Sequence, residues 1–452
     1  MHMRQALCGL AVAACLSGGA ALAAEPDFKV PYTEFDLPNG LHVILHEDHT
    51  IPMVHTNIWY RVGSSYEQVG RTGFAHLFEH LMFEGSGHVK EGEFDRLLES
   101  VGGNNNASTS TDRTNYYCTV PSCALELPLF LESDRMGFLL DSMSPNIVDN
   151  QRDVVKNEMR QSYLNRPYAK IWLELPALMY PEGHPYHWPI IGSMDDLTAA
   201  GYDDVVNFFK TFYIPSNASL VIAGDIDTAK TKALVEKWFS DVKAGDHKVN
   251  PVKADPVKVK GIVKKTVTDS VALPLRMQAW ITPALYTQGD ADMDVLAYIL
   301  GGSKNSRLYK RLVYDMQIAQ VITSNQSSSN LGSEFYIEYI PLPGHSLDEI
   351  QKVVTEEIVK IQNNPPSPEE IERAVNKIES NFYANVELCS EKADMLNNYY
   401  VHFGKADSFA ADLGRYHKVT PQSVSECAKQ YLDLENYVEI TVVPEKGGPA
   451  NE

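Results

Sequence analysis

The sequence reads as an α+β protein built from two similar halves. Three observations point there. Strand-like and helix-like segments are interspersed along most of its 452 residues. A Lys- and Asp-rich stretch, Val242 to Gly261, interrupts them with Gly245, Pro251 and Pro256 and reads as a linker. The halves also end alike: Val205 to Ile222 runs helix, Tyr213, strand, and Val424 to Val443 runs helix, Tyr431, strand. A chain this long, 44% hydrophobic, can bury a large core in two or three domains.

In order, Phe35 to Leu45 predicts a hairpin around Asn39-Gly40. Val54 to Val62 is a strand, and Thr72 to Phe83 a helix. Phe94 to Val101 is a short helix stopped by Gly102-Gly103. Asn104 to Thr111 and Thr114 to Val120 read as paired strands, and Leu125 to Asp141 as a helix. Helices are also expected over Asn150 to Leu164, Ile171 to Met179 and Tyr202 to Phe212. Ala218 to Ala223 is a strand and Ala229 to Phe239 a helix. Beyond the linker, strands fall at Val263 to Val267, Arg276 to Ile281, Ala319 to Ser327 and Glu334 to Tyr339. Helices fall at Ala291 to Leu300, Arg307 to Tyr314, Ser346 to Gln362 and Pro368 to Leu388, with more after them. Glu445 to Glu452 reads as a loose tail.

The N-terminus has the pattern of a signal peptide. Arg4 lies in a short n-region, Ala6 to Leu16 is too short to span a bilayer, and Ala21-Leu-Ala23 fits a cleavage site. Residues 1–24 are therefore set aside, and a periplasmic location in a Gram-negative cell is expected. A lipoprotein start at Cys15 is the less favoured alternative. No later run reaches the ~18 apolar residues of a membrane helix. The remaining cysteines are Cys118, Cys123, Cys389 and Cys427. Cys118 and Cys123 flank a Pro121-Ser122 turn and either bridge or stay as free thiols. A net charge of −20 argues against nucleic acid, since phosphate binding needs clustered Lys and Arg.

The chemistry concentrates in Thr72 to Phe83. At 100° per residue, Phe74, Leu77, Phe78, Leu81 and Met82 form one apolar face. His76, Glu79 and His80 fall opposite. Two imidazoles at i and i+4 reach one metal ion, and an H-x-x-E-H order is a zinc-peptidase signature. Zinc lowers the pKa of its water to about 7, and Glu79 is placed to take the proton. A catalytic zinc wants a third protein ligand. On the Asn150 to Leu164 helix, Glu158 falls inside the stripe of Val154, Val155 and Met159, with Gln151 pointing the same way. A carboxylate there is a metal ligand or the partner of an Arg such as Arg160 or Arg166.

These residues resemble the pitrilysin/insulinase family of inverted zinc peptidases. His76-Leu-Phe-Glu79-His80 and Glu158 in Arg152-Asp-Val-Val-Lys-Asn-Glu158 match its motif. Gly102-Gly-Asn-Asn-Asn106-Ala-Ser-Thr-Ser-Thr-Asp-Arg-Thr-Asn-Tyr116 resembles the family's substrate-strand segment, and His184-Pro-Tyr and Gly301-Gly-Ser-Lys-Asn-Ser-Arg307-Leu-Tyr309 also match. The resemblance implies two homologous halves, each a mostly antiparallel sheet flanked by helices, half of a clamshell. It assigns 25–244 to a zinc-binding peptidase domain, 245–261 to a linker and 262–452 to a homologous domain without the motif. It implies one Zn2+ on His76, His80 and Glu158, Glu79 as general base, and peptide contacts at Asn106 and Ala107.

Two positions depart from the family pattern. Gln151 stands where a Glu often supports the ligands. Val313 and Gln320 stand where complete members carry a substrate-binding Arg and Tyr. The expectation is a heterodimer in which a homologous partner supplies that pair. A non-catalytic core subunit, or a module that only binds peptide, is the alternative.

Overall fold

The computed structural model describes residues 28–445, so the signal segment and most of the expected tail lie outside it. The first half contains β1 (Thr33–Asp36), β2 (His42–Glu47), β3 (Met53–Tyr60), α1 (Phe74–Leu81), α2 (Glu93–Ser100), β4 (Asn104–Thr109), β5 (Thr114–Pro121), α3 (Glu126–Ser142), α4 (Pro145–Met159), α5 (Ile171–Met179), α6 (Met194–Ala199), α7 (Tyr202–Phe212), β6 (Ala218–Gly224) and α8 (Thr228–Phe239). The second contains β7 (Ile262–Asp269), β8 (Leu275–Thr282), α9 (Asp290–Leu300), α10 (Arg307–Tyr309), β9 (Ala319–Ser327), β10 (Ser333–Pro341), α11 (Leu347–Asn363), α12 (Pro368–Glu387), α13 (Cys389–Phe403), α14 (Phe409–His417), α15 (Pro421–Tyr431) and β11 (Tyr437–Pro444).

Each half has one sheet, and the two share a plan. The first runs β1-β2-β6-β3-β5-β4 and the second β7-β11-β8-β10-β9. In each, one parallel pair (β2 with β6, β7 with β11) sits in an otherwise antiparallel sheet. The internal duplication read from the half-ends is thus present as matching strand order.

Both faces of the central strands are buried. On β3, Val54, Ile58 and Tyr60 point into the core shared with α1, α4 and α7. Asn57 and Trp59 point the other way, where both donate to Asp394 of α13. Leu396 and Tyr399 of α13 pack with Ile44, Val221 and Ala223 on that face. The second sheet is covered reciprocally. Ile171, Leu175 and Met179 of α5 pack with Met277, Ala279, Val438 and Ile440. Each half therefore lends a helix to the sheet of the other.

Local chemistry explains the element ends. The hairpin turns at Asn39-Gly40 with Gly40 at φ 92°, a conformation open to glycine. The Asn39 amide also donates to Phe239 and Val242 carbonyls, tying the turn to the end of α8. Helix α4 begins at Pro145 rather than Asn150, because the Ser144 side chain accepts from Ile147 N–H and Pro145 suits the first turn. The predicted Pro368–Leu388 helix ends at Glu387, and α13 starts after Leu388 turns extended. Residues 245–260 carry no helix or strand, yet Val257 and Val259 pack into the core around the second sheet. Cys118, Cys123, Cys389 and Cys427 are all free, with Cys118 buried and Cys123 exposed. No helix among the described residues is long and apolar enough to cross a membrane.

Candidate metal centre

Helix α1 is built to show one polar face. Phe74, Ala75, Leu77, Phe78 and Leu81 are buried, as the wheel predicts. Its start is fixed by two groups the motif does not reveal. Gly73 has φ +85°, and a Cβ there would meet the Ile191 carbonyl at 2.7 Å, so only glycine fits. The Glu67 carboxylate accepts from Gly73 N–H at 3.0 Å and Ala75 N–H at 2.8 Å, satisfying first-turn donors. Burial pushes its pKa up to about 8 despite those two bonds.

α4 crosses α1 and brings Glu158 to the two imidazoles. Glu158 Oε2 lies 3.1 Å from His76 Nε2 and 3.1 Å from His80 Nε2. The rings of His76 and His80 are 4.9 Å apart and nearly perpendicular. The three donor atoms lie within 4.8 Å of one another, which among the described residues no other His, Cys, Asp or Glu group achieves. Between the two readings left open for Glu158, ligand or Arg partner, the geometry favours the ligand. Its surroundings differ from expectation, however. Val155 and Met159 are buried, but Val154 is 44% exposed, so the stripe is narrower and Glu158 stands half-buried at its edge.

Glu79 points to the same place without joining the ligand set. Its Oε2 is 3.5 Å from His76 Nδ1 and accepts from Thr109 Oγ1 at 2.6 Å. Burial would raise its pKa, but the bonds from His76 and Thr109 win and lower it, keeping an ionised base. Hydrogen bonds from His76 and His80 hold Glu158 well below the usual carboxylate range. Burial opposes a charge on His76, yet Glu158 and Glu79 outweigh it and raise its pKa to about 9. The cluster thus favours positive charge at its centre. Two imidazoles and a carboxylate are the donor set of a catalytic zinc, so the residues fit that ion.

The remaining predicted residues fall into two groups. Asn106 and Ala107 lie on β4, an edge strand paired only with β5, beside α1. The Ala107 N–H donates to Asn106 Oδ1 at 2.8 Å. Gln151 makes no hydrogen bond to His76, His80 or Glu158. It donates to Glu84 Oε1 at 2.6 Å, and Glu84 in turn feels the charge of His80. Thr109 was not singled out from the sequence, although period-two alternation from Ala107 puts it on the face toward α1. Val313 packs toward the second core and Gln320 is exposed on β9.

Comparison with known proteins agrees with this geometry. The profile of Insulinase (Peptidase family M16) matches residues 42–172, and that of the Peptidase M16 inactive domain matches residues 199–378. The chain belongs to the M16 peptidase family. Zinc protease PqqE of Helicobacter pylori is 28% identical over 87% of this chain and 89% of its own length. The crystal structure of a protease from Helicobacter pylori superposes with a TM-score of 0.86 at 26% identity, covering 92% of this chain and all of that one. An M16 inactive-domain structure from Pseudomonas fluorescens gives a TM-score of 0.80 at 16% identity, over 93% of this chain and 100% of that one, a likeness of fold alone. The M16 clamshell half, an α+β fold in two halves, is therefore the architecture here, and relatives named zinc proteases point to peptidase chemistry and zinc.

Proposed function

We propose that this M16 chain is a zinc-dependent endopeptidase acting on peptides or small unfolded polypeptides. The observation that carries it is the convergence of His76, His80 and Glu158 on one point with Glu79 held beside them by Thr109. One zinc ion on those three ligands supplies Lewis acidity at the scissile carbonyl and acidifies water. Glu79 takes the proton of the attacking water at its free carboxylate face and returns it to the leaving amine. Thr109 keeps that carboxylate aimed. The β4 edge binds an extended peptide through its backbone, with Asn106 and Ala107 at the contact. The match of residues 199–378 to the Peptidase M16 inactive domain raises a non-catalytic subunit as the rival, but His76, Glu79, His80 and Glu158 are all present in the first half and lie together.

The proposal includes export to the periplasm and a heterodimer. Val313 and Gln320 offer no Arg fork or phenol, so a homologous partner would supply them. The deciding experiment is hydrolysis of a quenched fluorescent peptide by zinc-loaded protein, with and without the co-purifying homologue. Turnover abolished by a chelator and restored by zinc is expected. No turnover under any of these conditions would sink the reading.

A further inference from the structure

The open edge of β4 is fixed from behind. Ser110 N–H donates to the Arg113 carbonyl at 2.8 Å and closes the β4–β5 hairpin. Antiparallel alternation then points the backbone groups of Ser108 at Asn115 on β5, and those of Ala107 and Thr109 at the open edge. Ala107 and Thr109 turn their side chains toward α1, so the Ser108 side chain between them projects from the opposite face. β4 has a neighbouring strand on one side only, so its course depends on what grips its two faces.

A chain of hydrogen bonds grips that rear face. Ser108 Oγ donates to Asn115 Oδ1 at 2.7 Å. Arg113 Nη1 donates to Ser108 Oγ at 2.6 Å, to the Ser108 carbonyl at 2.9 Å and to Asn115 Oδ1 at 3.1 Å. The Arg113 guanidinium lies over Trp59, 5.2 Å from the ring centroid. Asn115 is buried, and its Nδ2 donates to Asp394 Oδ1 at 3.2 Å. Asp394 belongs to α13 of the second half and takes Asn57 Nδ2 and Trp59 Nε1 on the same oxygen, at 3.1 and 3.0 Å. A carboxylate only accepts, so Asp394 decides which way the Asn115 amide faces: nitrogen toward α13, oxygen toward β4. With the amide reversed, Nδ2 would meet Arg113 Nη1, donor against donor, and Ser108 Oγ would lose its acceptor. The tip of the hairpin is tied to the same half, since Asn330 N–H donates to Asp112 Oδ2 at 3.0 Å. An edge held in this way costs little ordering when a peptide pairs with it.

We propose that Asp394 is a positioning residue for the substrate: by fixing Asn115, and through it Ser108 and Arg113, it sets the β4 edge that pairs with the peptide backbone. The half without the zinc motif thereby governs how tightly the other half holds peptide. The proposal rests on the reading above, because it takes β4 as the strand that binds the chain. The hydrogen bonds of Asp394 reach β3 and β5 but no metal ligand, so its removal acts on peptide affinity and leaves zinc in place.

The test is binding of a fluorescein-labelled copy of the turnover peptide to zinc-loaded Glu79→Gln protein, in which hydrolysis is blocked. Asp394→Leu removes the acceptor and should weaken binding about tenfold or more with zinc content unchanged. In the otherwise wild-type protein the same change should appear in KM and not in kcat. Asp394→Asn keeps an acceptor for the three donors and should restore most of the affinity. Ser108→Ala cuts the last link and should weaken binding as well. In Asp394→Leu/Ser108→Ala the second change should add little, because both break one chain. Effects that multiply would mean that Asp394 acts by another route and overturn the proposal. So would unchanged affinity in Asp394→Leu, or an Asp394→Asn variant as weak as Asp394→Leu. If Asp394→Leu loses its zinc, Ser108→Ala decides: weaker binding upholds the proposal and unchanged affinity overturns it. Hydrolysis by the wild-type protein is measured in parallel. A peptide bound but never cut refutes the peptidase reading and leaves the affinity ratios to decide the role of Asp394. A peptide cut by the wild type but not bound by the Glu79→Gln parent overturns the proposal alone.

Discussion

Helices α1 and α9 hold the same place in the two sheets. Each follows a central strand, β3 or β8, and each lies against the edge strand, β4 or β9. In the first half the edge-strand hydroxyl of Thr109 reaches a side chain, Glu79, at 2.6 Å. In the second the hydroxyl of Ser324 reaches the backbone, the Ala297 carbonyl, also at 2.6 Å. There the helix end is so close to β9 that a Cβ on Gly301 would meet Ser324 N at 2.6 Å. The second half has closed the gap that the first keeps open for His76, Glu79 and His80. The fold therefore does not need the site, and the site is an addition to one copy of a repeated plan.

That contrast is open to attack on the first half. Glu158→Gln or His76→Ala should lower zinc content from about one per chain to near none and abolish hydrolysis, read by metal analysis and peptide turnover. Full zinc retention in Glu158→Gln would remove Glu158 from the site. Glu79→Gln should keep zinc and fold but lose about 10²–10⁴ in kcat. Activity within about tenfold of wild type would show that Glu79 is not the base.

Weaker substitutions sharpen the comparison. Thr109→Val should keep zinc and lower kcat by about tenfold, because Glu79 loses its aim. Ser324→Ala, its counterpart, should leave peptide turnover unchanged. Leu396→Ala in α13 removes a fully buried side chain from the face it covers on the first sheet and should cost about 2–5 kcal/mol in chemical denaturation, with zinc still bound.

The smallest effect concerns pH. In the second half, Glu338 has its pKa raised to about 7 by burial, above an ordinary value of 4.5. Protonation is thus favoured by folding, and the stability it contributes is full below about 4.5 and lost as pH rises through about 7. Glu338→Gln should raise Tm above neutral pH and leave it unchanged in acid. A Tm gain at both ends would place the effect in packing.

Local signals were legible and long-range ones were not. The α1 wheel separated Phe74, Leu77, Phe78 and Leu81 from the two His because period 3.6 is written in consecutive residues. Asn39-Gly40 marked its hairpin for the same reason. The wheel misplaced Val154, since periodicity shows which residues share a face but not how wide a neighbour covers it. Gln151 bonds Glu84 rather than a ligand, a choice set by how α4 crosses α1. Glu334 and Glu338 read only as polar residues of a strand; their burial comes from α5 and its flanking loops, which belong to the other half. The helix pattern of α5 was plain, but nothing local says that it packs on the second sheet.

The exchange of α5 and α13 has a consequence for how the protein is made. Asn397 of α13 donates to the Asn57 carbonyl of β3, a contact spanning 340 residues. During synthesis the first sheet emerges early, with its inner helices, yet its other apolar face stays bare until α13 follows near the end of the chain. Contacts of such separation form late and slowly. A nascent chain that long, with Ile44, Val221 and Ala223 uncovered, presents an apolar sheet face that invites misassembly until the last helices arrive.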